Sequence, residues 1–133
     1  MRVIGLAVAL CIASMAGASG DVDGLWRTEA NDEGVYLTVQ IGACEARADR
    51  VCGVVMDRID SAGESGESDV IGKHIIKNMR SVGTGRWGKG TIWAPDDDKT
   101  YKSKMALVDK GLKVSGCVFG GLICRGQVWQ RVN

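Results

Sequence analysis

The chain of 133 residues is short of several things at once. It has one proline, one histidine and one phenylalanine, and aromatic residues make up 5% of it. Neither sign of charge is in excess: 17 Lys and Arg stand against 16 Asp and Glu. That balance removes the electrostatic case for a nucleic-acid partner, which needs a surplus of cations to displace counterions. The local cluster Lys73, Lys77 and Arg80 reads as a solvated face. The lone histidine, His74, has no nucleophile elbow or reactive cysteine beside it, and a base without a placed partner does no chemistry. No enzyme is expected, and no cofactor. Asp96-Asp97-Asp98 lacks the alternating ligands, the glycine and the distal glutamate of a calcium loop, so it reads as an Asp-rich turn. With Pro95 alone, turns must come from the 19 glycines.

A long apolar run occurs only at the start. Arg2 supplies a positive charge, Val3 to Ala16 is almost unbroken, and Ala16-Gly17-Ala18 is a small-x-small cleavage site. The pattern is that of a secretory signal peptide and is too short for a membrane span. Cleavage is expected near Ala18, so residues 1–18 leave and residues 19–133 form one domain, periplasmic or secreted. A lipoprotein signal ending at Cys11 is disfavoured by Leu10, where a small residue is wanted. Arg2 is the only base removed, which leaves 16 charges of each sign.

Four cysteines then remain: Cys44, Cys52, Cys117 and Cys124. An even count in an exported chain reads as disulfides, and the spacings do not fit a metal site. Gly120-Gly121 suits a two-residue hairpin turn, because both positions can take positive φ. Folding there sets Phe119 beside Leu122, Val118 beside Ile123 and Cys117 beside Cys124. Cys44 and Cys52 flank a short loop in the same way, so the pairing 44–52 with 117–124 is favoured among three.

The rest alternates with a period of two. Val35, Leu37, Val39 and Ile41 interleave with Tyr36, Thr38 and Gln40, and Val51 to Met56 reads as the hairpin partner. Residues 60–70 form a polar, acidic loop. Residues 71–80 fit either a short helix, by the spacing of Ile71, Ile75, Ile76 and Met79, or a strand. Strands follow at 86–94, from Tyr101 to Leu107, from Leu112 onward and over 122–132. A turn at Lys110-Gly111 sets Leu107 opposite Val114 and Met105 opposite Gly116. Seven or eight short strands at this spacing indicate an all-β antiparallel barrel or sandwich. Gly24-Leu25-Trp26 near the start and Trp129-Gln130-Arg131 at the end suit barrel closure, with Arg131 laid over the Trp26 ring.

These end motifs, with Cys52-Gly53-Val54-Val55, Gly90-Thr91-Ile92-Trp93-Ala94-Pro95, Lys99-Thr100-Tyr101 and the ending from Gly116 to Arg131, carry a resemblance across the mature chain. It resembles a family of small secreted bacterial proteins of unknown function with a lipocalin-like (calycin) barrel. The resemblance implies an up-and-down barrel of about eight strands, with one irregular or short helical segment near 70–80. It also implies an apolar ligand by analogy with lipocalins, in a cavity shallower than theirs.

Counting outward from Gly120-Gly121 puts Gly116 opposite Arg125, Val114 opposite Gln127 and Leu112 opposite Trp129. Arg125 and Gln127 then share the inner face with Leu112 and Val114. A polar pair on an apolar wall must be satisfied by something. These two residues, with the Tyr101 hydroxyl, are therefore the candidate anchors for a ligand's polar head. The reading is an envelope protein that binds a small hydrophobic or amphipathic molecule. The alternative is a protein-interaction module, an inhibitor or assembly factor, with a side-chain-filled barrel.

Overall fold

A computed structural model describes residues 21–132; the expected signal peptide, residues 1–18, lies outside them. The strands are β1 (Gly24–Arg27), β2 (Tyr36–Ala43), β3 (Val51–Ile59), β4 (Ser65–Gly66) and β5 (His74–Gly83). They continue as β6 (Arg86–Ala94), β7 (Lys99–Val108), β8 (Gly111–Val118) and β9 (Ile123–Arg131). Every pairing is antiparallel, and neighbours run β2, β1, β9, β8, β7, β6, β5, β3. Strand β3 pairs with β2 as well, so eight strands close on themselves, with β4 a two-residue spur on β3. Closure leaves no long free edge to template aggregation.

Inward side chains follow the period-two pattern. Val39 and Ile41 of β2 and Leu112 and Val114 of β8 are buried, in one apolar cluster with Trp26, Met79 and Trp129. Of the two options for residues 71–80, the structure takes the strand: the chain turns at 69–72 and then enters β5. The helix-like spacing has another origin. The β3–β5 register shifts twice, between Val54 and Gly53 and again between Gly53 and Val51, and Asn78 sits at φ 57°. Bulges insert extra residues, so Ile75 and Ile76 are both buried and Met79 follows three positions on.

Two turns differ in detail from the expectation. In β7–β8, Leu107 faces Leu112 and Met105 faces Val114, two residues from the expected partners but on the same face. The turn is Asp109-Lys110, and Gly111 is already strand, at φ 145°. A Cβ there would collide with the Trp129 carbonyl oxygen, so only glycine lets β8 start this close to β9. In β8–β9 the ladder ends at Val118 opposite Ile123, and residues 119–122 form a wider turn with a 3-10 bend over Phe119–Gly121. The bend takes Phe119 as well as Gly120 and Gly121 to positive φ. The disulfides join Cys44 to Cys52 and Cys117 to Cys124.

The two ends of the barrel differ. At the closed end Trp26 pairs with Arg131 across β1 and β9, and the guanidinium lies 4.2 Å from the indole centroid. Arg131 also donates through Nη1 to the Asp23 carbonyl (2.9 Å) and through Nη2 to the Asp21 carbonyl (2.8 Å). Trp26 Nε1 donates to the Val22 carbonyl at 2.9 Å. These contacts fold residues 21–23 across the bottom. At the other end four connections, at 28–35, 60–73, 95–98 and 119–122, ring an open mouth.

Candidate functional site

The mouth opens into a cavity of about 400 Å³. Its floor and walls are apolar: Trp129, Val114, Ile75, Ile92 and Leu37 line it. Val70, from the loop between β3 and β5, packs against the core and contributes to the rim. The residues expected inside are there by register. Arg125 pairs with Gly116, Gln127 with Val114 and Trp129 with Leu112. Arg125 and Gln127 both border the cavity and both remain exposed, while Trp129 below them is buried. Gly116, opposite Arg125, leaves no room for a larger residue, since a Cβ there would press on Ile92 and Tyr101.

The three expected anchors are differently committed. Gln127 Oε1 accepts from Trp129 Nε1 at 3.0 Å, and its amide N–H groups have no partner among the described residues. The Tyr101 hydroxyl donates to Asp97 Oδ2 at 2.5 Å, so its proton is already engaged at the rim. That hydrogen bond to the Asp97 carboxylate, with lesser help from desolvation and the Asp97 charge, holds the phenol above its ordinary value of 10.0. Arg125 makes no ion pair, hydrogen bond or ring contact among the described residues.

A fourth polar residue was not found by sequence reasoning. Arg58 borders the cavity, half-buried, and has no partner among the described residues. By simple alternation with Val51, Gly53 and Val55 it should point outward. The β2–β3 ladder breaks that alternation: Val39 faces Val55 and Thr38 faces Asp57, so Met56 is an extra residue. Beyond the bulge Arg58 faces Leu37, which packs on the core, and turns inward with it. Thr38, on the outer face, donates to Asp57 Oδ2 at 3.3 Å. Met56 itself is exposed.

His74 does not approach this cavity. It stands on the outer wall beside Lys73, Lys77, Trp93 and Asp98, around a separate shallow depression. There Trp93 Nε1 donates to Asp98 Oδ1 at 2.8 Å, and the Lys73 ammonium lies 5.0 Å from the ring. Trp93 thus borders both this depression and the mouth cavity, with its ring nitrogen engaged by Asp98. Among the described residues, no cluster of His, Cys, Asp and Glu is set to hold a metal ion, and no helix is long and apolar enough to cross a membrane.

A closed eight-stranded barrel with one sealed end and one open, apolar-lined mouth has the build of a lipocalin-like protein. Residues 24–131 match the family described as an uncharacterized protein conserved in bacteria (DUF2147), and the chain belongs to that family. Among solved structures it is similar to protein HP1028 of the human pathogen Helicobacter pylori, described as belonging to the lipocalin family. The TM-score is 0.67 at 15% identity, over 85% of this chain and 84% of that one. Likeness at that identity concerns the fold. No curated protein matches.

Proposed function

We propose that this is an exported cell-envelope protein that holds a small hydrophobic or amphipathic molecule in the mouth of its barrel. Arg125 and Gln127 anchor the guest's polar end, and Tyr101 braces Asp97 at the rim. The observation that carries the reading is the open cavity of about 400 Å³ over an apolar floor. That volume falls in the ~300–1,000 Å³ range of small-molecule sites, and the lining is the usual mixture of apolar wall and few polar groups. Export is supported by the N-terminal pattern and by two disulfides, which persist in oxidising compartments. The proposed role is binding without chemistry: His74 lies on the outer wall, apart from the cavity.

The test is native followed by denaturing mass spectrometry of protein purified from the periplasm. One small molecule released on denaturation is the expected result. Protein that is apo, and whose tryptophan fluorescence shows no saturable change with amphipathic probes, overturns the reading.

One observation favours a second reading, a protein-interaction module of the inhibitor or assembly type. Phe119 and Leu122 at the β8–β9 turn are 74% and 87% exposed, with Ile123 exposed beside them. Apolar residues gathered at one tip are a common mark of a protein contact. Capture of an envelope partner that is lost with Phe119→Ser and Leu122→Ser would support this role. The open mouth weighs against its filled-barrel form.

A further inference from the structure

We infer that the guest is a single-chain amphipath with an anionic head, a carboxylate or phosphate ester, clamped between Arg58 and Arg125. The inference rests on the ligand-binding reading and deepens it. Its basis is an inventory of the polar groups around the cavity. Of the lining side-chain acceptors, the carboxylates of Glu29 and Asp96 have no partner among the described residues, while those of Asn31, Thr28, Ser68 and Gln127 are already used within the protein. Asn31 Oδ1 accepts from the backbone N–H groups of Glu33 (2.9 Å) and Val35 (3.0 Å). Thr28 Oγ1 accepts from Leu37 N at 3.0 Å, and Ser68 Oγ accepts from Val70 N at 3.4 Å. Gln127 Oε1 accepts from Trp129.

Apart from those two rim carboxylates, the groups without a partner among the described residues are donors: the guanidinium groups of Arg58 and Arg125 and the amide N–H groups of Gln127 and Asn31. Each guanidinium offers five N–H donors and no acceptor. A guest that engages these donors must bring acceptors, and an anionic oxygen cluster brings the most in the least space. A hydroxyl or amine head would leave both cations unpaired.

Two carboxylates also border the cavity, Glu29 and Asp96, and they differ in placement. Both are exposed and both sit on connections, whereas the arginines sit on strands β3 and β9. Arg58 is the one charged residue around the cavity that is half-buried rather than exposed. Charge held in place and partly screened from water acts more strongly on a guest than charge at a solvated rim. Volume limits the chain: about 400 Å³ equals roughly a dozen water volumes at ~30 Å³ each. One short alkyl chain fits and two do not.

The experiment titrates the mature protein with decanoate and, separately, with decan-1-ol. Binding is followed by tryptophan fluorescence and by ¹⁵N amide shifts around Gly116 and Trp129. Decanoate is expected to bind about tenfold tighter than decanol, and Arg58→Gln and Arg125→Gln are each expected to cancel about tenfold of decanoate affinity. Decanol affinity should change by less than about twofold in either variant. Arg125 is exposed and on no folding contact, so its variant keeps the test valid even if Arg58→Gln destabilises the barrel. Equal affinity for decanol and decanoate, or variants that lose both equally, would overturn the anionic clamp and leave the cavity reading intact. Failure of both probes to bind would overturn the two together.

Discussion

At the scale of single residues, Arg131 and Arg58 show how position decides what one side chain does. Arg131 lies over an indole and donates to two backbone carbonyls, so its charge is used to close the barrel. Replacing it with alanine should cost about 1–2 kcal/mol, from lost stacking and charge-assisted hydrogen bonds, and urea unfolding measures this. Trp26→Ala at the same seal empties a site that is 2% exposed and should cost about 3–5 kcal/mol by the same assay. Arg58 has no such partners among the described residues, and under the proposed clamp its charge meets the guest. Arg125 and Gln127 were legible because β8–β9 pairs without a bulge, so counting from Gly120-Gly121 reaches Trp129 correctly. Arg58 was not legible, because one extra residue at Met56 reverses every side chain after it.

At the scale of elements, the β8–β9 hairpin is held by Cys117–Cys124 at the base of an exposed apolar turn. Replacing both cysteines with alanine should lower stability by about 2–3 kcal/mol in the chain-entropy model, read from denaturant midpoints, with the barrel's circular dichroism retained. The β6–β7 turn is held instead by side-chain hydrogen bonds, Tyr101 to Asp97 and Trp93 to Asp98. The Tyr101 phenol titrates above its ordinary 10.0, so the neutral, donating form is favoured in the fold. What the contact contributes is therefore fully present at neutral pH and is lost as pH rises through the raised value. Ultraviolet titration should find Tyr101 ionising later than a free tyrosine, and Asp97→Asn should bring it down. No change with Asp97→Asn would mean the hydrogen bond is not the cause. Strand β5 shows the limit of reading elements by periodicity: two bulges imitate a helical spacing, and only pairing with β3 distinguishes them.

At the scale of the whole molecule, a balanced composition hides an uneven surface. Strands β5 to β9 carry Lys77, Arg80, Arg86, Lys89, Lys99, Lys102, Lys104, Lys113, Arg125 and Arg131 and hold no Asp or Glu. The acidic residues gather on the connections and on the β1–β3 side, in segments such as 29–33, 60–69 and 96–98. Mature protein with 16 charges of each sign should therefore be retained on a cation-exchange matrix near neutral pH and released by salt. Passage without retention would mean the segregation is too weak to be felt.

The sequence by itself determined the all-β pattern, the Trp26–Arg131 seal and the inner face of β9, and favoured the disulfide pairs that form. The strands, the disulfides and the face of β9 follow from alternation or from a turn a few residues away, and the seal from an indole and a guanidinium placed at the two ends of the chain. Only the tertiary structure decided the inward turn of Arg58, the strand at 74–83, the engagement of Tyr101 by Asp97, and the open cavity. The first two depend on bulges and the cavity on contacts between distant segments, while the Tyr101–Asp97 bond, only four residues apart, depends on how the β6–β7 turn folds.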